Sequence, residues 1–174
     1  MRYSALLLTF CLCGLLLACQ GPPSIDLQPT IEEAPRMASA IHVGDPATAN
    51  QFFRGVYPQD APTWRWAGPK FSVTLGTPPG AAAKGARLVL EFNLPEPSIN
   101  ALKQITLAAK IGGVTLPPES FTAAGRHEYR QEVPGAALAS DVVSPEFTVD
   151  KYLQLPNDPR QLALIISAVR LESL

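Results

Sequence analysis

Three short runs in this sequence carry residue types suited to binding or catalysis. The first is Trp64-Arg65-Trp66. On a strand, positions i and i+2 share a face, so both indoles point one way and Arg65 points the other. Two indoles side by side on an exposed sheet can stack on the apolar faces of sugar rings, whereas in a core they act as bulky apolar filler. The core role is the expectation, because a small sandwich with two tryptophans normally commits at least one of them to its interior. Arg65 then calls for a carboxylate partner, with Asp158 and Glu91 as candidates. The second run is Asp158-Pro159-Arg160, where Asp158 can close a turn on its own backbone and Pro159 fixes φ. Arg160 can complete that turn by pairing with a carboxylate, or grip a polar ligand with two parallel hydrogen bonds; the ion-paired turn is expected. The third is Phe52, Phe53 and Tyr57, spaced by Gly55, which reads as an edge strand leading to a turn at Pro58 or as a binding rim.

Other chemistry lacks the residues it needs. His42 and His127 are the only histidines, and they form no His-x-His or His-x-x-x-His spacing. His127 lies on an alternating polar strand and reads as solvated. There is no Gly-x-Ser-x-Gly elbow, phosphate-cradling loop or dinucleotide fingerprint. No catalytic residue, metal ligand or cofactor is therefore expected. The 14 Lys and Arg against 15 Asp and Glu leave no basic excess to displace phosphate counterions, which argues against nucleic acid as a partner.

All three cysteines, Cys11, Cys13 and Cys19, lie in the first nineteen residues. Downstream there is no thiol for a disulfide, a zinc site or a nucleophile. Arg2 supplies one positive charge, and Ala5 to Leu17 is an almost unbroken apolar run. Thirteen helical residues span only about 20 Å, short of the hydrocarbon core, so the run reads as the apolar part of a signal peptide. It ends in Leu16-Leu17-Ala18-Cys19, which resembles the lipobox of bacterial lipoproteins. The resemblance implies cleavage after Ala18, acylation of Cys19 and a lipid-anchored envelope location. With Gln20 next, it implies the outer membrane facing the periplasm in a Gram-negative host. Phe10 and Leu12 are too bulky to precede the modified cysteine, which leaves Cys19.

Residues 1–18 are thus expected to be removed and 19–37 to form a lipidated tether. Gly-Pro-Pro, Gln-Pro and Ala-Pro steps give the tether too little apolar surface to offset the entropy of ordering it. From residue 38 to 174 the apolar period is two. Phe71-Val73-Leu75, Leu88-Leu90-Phe92-Leu94 and Ile105-Leu107-Ala109-Ile111 alternate with polar residues. Gly112-Gly113 reads as a type I′ hairpin turn into Val114-Thr115-Leu116. Leu162, Leu164 and Ile166 against Ile165, Val169 and Leu171 read as a strand apolar on both faces, inside a sheet. Prolines after Leu94, Leu116 and Leu155 end strands where they stand, and Ser98 to Lys103 suggests one helical turn. The expectation is an all-β antiparallel sandwich of jelly-roll type with eight or nine short strands.

The order Tyr57-Pro58, Trp64-Arg65-Trp66, the strands Phe71–Leu75 and Leu88–Phe92, then Asp158-x-Arg160-x-Leu162 resembles small β-sandwich modules attached to bacterial glycosyltransferases and cell-surface polysaccharide proteins. That resemblance implies a carbohydrate-associated jelly roll with no catalytic residue. Ala163 stands where such modules often have glycine, and Ala67 where they have threonine or serine. Two functions follow as expectations. One is a lipid-anchored module that binds envelope glycan or polysaccharide through Tyr57, Trp64, Arg65, Trp66, Asp158 and Arg160. The other is an interaction module for a protein partner in an envelope assembly or secretion complex, which would show an apolar patch or an unprotected sheet edge.

Overall fold

The computed structural model describes residues 36–58 and 60–174. The signal segment, Cys19 and nearly all of the expected tether lie outside the described residues. Strand-forming stretches dominate, in chain order β1 (Ala40–His42), β2 (Phe52–Val56), β3 (Arg65–Val73), β4 (Leu75–Gly76), β5 (Ala86–Leu94), β6 (Ile105–Ile111) and β7 (Val114–Thr115). Then come β8 (Glu119–Phe121), β9 (Gly125–Val133), β10 (Val142–Val143), β11 (Glu146–Val149), β12 (Leu153–Gln154), β13 (Gln161–Leu162) and β14 (Leu164–Ser173). Nine of these have three residues or more, and the other five are two-residue pairings at strand ends and turns. Two short helices, α1 (Ala81–Lys84) and α2 (Glu96–Leu102), complete the set together with two 3-10 turns. The helix expected from Ser98 starts two residues earlier, at Glu96, whose carboxylate sits at the positive end of the helix dipole.

Every pairing is antiparallel, and the fold is a β-sandwich made by curling one long sheet. The strand that makes the corner is β3. Its first residues, Arg65–Ala67, pair with β14, while Lys70–Ser72 pair with β11. One layer then runs through β14, β5 and β9, and the other through β11, β6 and the short β7 and β8. The layers meet where Phe92 of β5 packs edge-on against Phe121 of β8, at 5.0 Å between ring centres. Phe71 stacks on Phe147 at 4.8 Å within the second layer. Tyr129 is fully buried between the layers, its hydroxyl donating to the Pro117 carbonyl at 2.8 Å. Burial pushes its ionisation up to about 12, and the nearby charge of Glu119 adds to the shift.

Gly112 and Gly113 connect β6 to β7 with φ of 54° and 85°, the positive values a type I′ turn requires. Gly112 has a second reason to lack a side chain, since a Cβ there would fall 2.2 Å from the Ala137 carbonyl oxygen.

Strand β14 differs from its expected form. It lies inside the sheet, between β3 and β1 on one side and β5 on the other. It is not apolar on two faces, however. A bulge at Ser167 shifts the register: Ile166 faces Phe92, but Ala168 faces Glu91 and Val169 faces Leu90. One extra residue rotates everything beyond it by half a period. Leu164, Ile166, Val169 and Leu171 therefore all point into one core, and Ile165 and the small Ala168 are left on the outer face. The outer face of this layer also carries charges, with Arg170 bridging Glu91 and Glu172, Arg130 pairing with Glu128, and Arg87 reaching Glu132. His127 is also not the solvated residue expected. It is half-buried against the rings of Phe92 and Phe121, with Nε2 2.9 Å from the Ala123 carbonyl oxygen.

Candidate functional site

The outer face at one end of this layer holds an open cleft of about 680 Å³. Its floor is built by register. Ile165 on β14 faces Trp66 on β3 and Asn93 on β5, and Asn93 in turn faces Arg126 on β9. Residues directly opposite share a face, so Trp66, Ile165, Asn93 and Arg126 form a row across four strands. Trp64 lies two residues before Trp66, bridged to Ala61 through the backbone, and its half-buried indole lines the cleft wall. His42 and Thr63 form the rim, and Pro95 closes the end where β5 stops. The bulge also contributes, because it turns the Ser167 side chain toward the cleft, its hydroxyl donating to the Glu91 carbonyl at 3.3 Å.

The charges around the cleft are unequal. Glu91 is held by the Arg170 guanidinium, which keeps its carboxyl below the usual carboxylate range, with Arg126 and His42 contributing in the same direction. Arg126 is exposed and has no carboxylate paired to it among the described residues. The lining thus combines apolar planes from Trp64, Ile165 and Pro95 with an amide, a carboxylate, a guanidinium and hydroxyls. Such a surface can cover an apolar ring face while donating and accepting hydrogen bonds around its edge.

Of the six binding residues expected from the sequence, the structure places Trp64 in this cleft and Trp66 on the same face beside it. Neither indole belongs to the buried core, which corrects the expected interior role. The core is filled instead by Phe71, Phe92, Phe147, Tyr129 and aliphatic residues. Arg65 does point the other way, but it meets no carboxylate among the described residues. Its guanidinium lies 5.0 Å from the Phe52 ring centre, and its Nε is buried without a hydrogen-bond partner. Glu91 and Asp158 are engaged by Arg170 and Arg160.

Tyr57, Asp158 and Arg160 form a separate cluster away from the cleft lining. The Asp158 carboxylate accepts from the Arg160 backbone N–H at 2.9 Å and from its guanidinium at 2.8 to 3.1 Å. Those bonds hold the Asp158 carboxyl below its ordinary pKa and raise that of Arg160. Arg160 also donates to Asp60 at 2.8 Å and lies over the Tyr57 ring. The Tyr57 hydroxyl accepts from the Gln161 N–H at 3.0 Å. These bonds tie the chain to itself, so the cluster is a clamp between the β2–β3 connection and the entry to β13. His42, Asn93, Arg126, Ile165 and Ser167 were not among the binding residues expected from the sequence. Asn93 and Arg126 sat among the polar positions of alternating strands, and only the pairing register distinguishes them from solvated neighbours.

No protein-family model matches the sequence, and no curated protein matches it. Among solved structures, the chain is similar to the CBM36-1 domain of a multidomain xylanase from the hindgut metagenome of Trinervitermes trinervoides. The identity is 12% and the TM-score 0.44, over 78% of this chain and 96% of that one. A CBM4 structure is similar at 12% identity and TM-score 0.35, over 78% of this chain and 85% of that one.

Proposed function

We propose that this chain is a non-catalytic glycan-binding module, held at the cell envelope by acylated Cys19. The observation that carries the binding half is the cleft itself, where a half-buried indole and an isoleucine stand beside an exposed amide, an exposed guanidinium and the Thr63 hydroxyl. Sugar rings present apolar C–H faces ringed by hydroxyls, and that is the chemistry this lining complements. Water leaving the indole and Ile165 supplies the driving force, and Asn93 and Arg126 orient the ring. The role in this reading is retention of a glycan rather than its turnover.

The anchor half rests on Leu16-Leu17-Ala18-Cys19. Each acyl methylene buried in lipid contributes about 0.8 kcal/mol, so several chains make a durable attachment. Calorimetric titration of the full chain, in detergent, with envelope polysaccharides tests the binding. Saturable binding that Trp64→Ala weakens roughly tenfold or more is expected, and no binding to any glycan defeats the reading. For the anchor, Cys19→Ser moves the folded protein out of the membrane fraction, and unchanged sedimentation with membranes contradicts acylation there.

A further inference from the structure

Strand β9 is the end of its layer. It pairs with β5 along all nine of its residues, and among the described residues no strand pairs with its other side. A nine-residue edge with free backbone groups is a site for strand addition. Its side chains identify the occupant. On the outer face β9 reads Arg126, Glu128, Arg130, Glu132, a strict alternation of sign. All four are exposed.

We infer that β9 pairs with β9 of a second copy, antiparallel and centred on Tyr129. In that register Arg126 faces the second copy's Glu132, and Glu128 faces its Arg130. Twofold symmetry doubles both pairs, so every charge on the strand meets an opposite one. Sliding the copies by one step either way places Glu against Glu and Arg against Arg throughout the overlap. Charge thus disfavours the neighbouring registers, and the centred one makes the most opposite pairs. An edge guarded against association by charges of a single sign repels in every register, which this one does not. Arg126 has no carboxylate partner among the described residues and Glu132 reaches Arg87 at 4.0 Å, while Glu128 and Arg130, paired within the strand at 2.6 Å, would exchange that bond for one across the seam. The twofold axis is normal to the sheet, so both clefts open on the same side of one continuous surface. That last consequence has meaning only with the glycan reading above; the dimer does not depend on it.

Sedimentation equilibrium of the full chain in density-matched detergent tests the pairing. A concentration-dependent monomer–dimer equilibrium is expected, weakening as salt rises. Arg126→Glu with Arg130→Glu makes all facing pairs acidic, and Glu128→Arg with Glu132→Arg makes them all basic. Each double variant raises the dimer Kd roughly tenfold or more. Mixed one to one, the acidic and basic variants associate with each other as tightly as the original chain does with itself. A monomer at all concentrations, a dimer that neither double variant weakens, or variants that fail to associate on mixing overturns the proposal.

Discussion

Ile165 lies directly opposite Asn93 across β14 and β5, so an apolar side chain and an exposed amide share the floor of one cleft. In the proposed glycan reading, this adjacency separates the cleft from a purely apolar groove. Asn93→Ala keeps the strand and the apolar floor but removes a donor and an acceptor. Losing one or two hydrogen bonds costs about 1 to 2 kcal/mol. Calorimetry should therefore record roughly tenfold weaker glycan binding with an unchanged melting temperature.

The bulge at Ser167 separates residues that simple alternation would place together. Ile165 and Val169 share parity in the sequence, yet Val169 is fully buried and Ile165 faces the cleft. Val169→Asp buries an unpaired carboxylate and should cost about 4 kcal/mol or more. Ile165→Asp leaves its charge at the cleft surface and should cost far less. Thermal melts followed by circular dichroism check the pair, and equal destabilisation would place the bulge elsewhere.

Most of the fold was legible because its causes are local. Gly112-Gly113 fixes a hairpin through positive φ, and the prolines after Leu94 and Leu116 stop strands by removing a donor. The bulge was not legible, since an inserted residue leaves the apolar content of β14 unchanged and shifts only its phase. The tryptophans were misassigned for a related reason. Burial depends on which layer β3 occupies at that point, and the corner it turns between β14 and β11 is a long-range property. Asp158 and Arg160 lie two residues apart, so their ion-paired turn could be read directly, whereas the reach of Arg160 to Asp60 spans a hundred residues and could not.

Tyr129 predicts the alkaline limit of stability. In the unfolded chain its hydroxyl ionises near 10, while in the fold burial holds it protonated up to about 12. The folded state thus binds more protons between these values, so its stability is intact below pH 10 and falls as pH rises toward 12. Tyr129→Phe removes that slope, and denaturant unfolding at pH 9 and pH 11 should then give a smaller difference than the original chain shows.

The central claim is that sugar covers Trp64. The chain has two tryptophans, so Trp66→Phe leaves Trp64 as the sole indole reporter. Acrylamide quenching of that variant, with and without a saturating envelope oligosaccharide, measures access to the cleft wall. The account predicts ready quenching in the free protein and clear protection when sugar is bound. Quenching that saturating sugar leaves unchanged would contradict it.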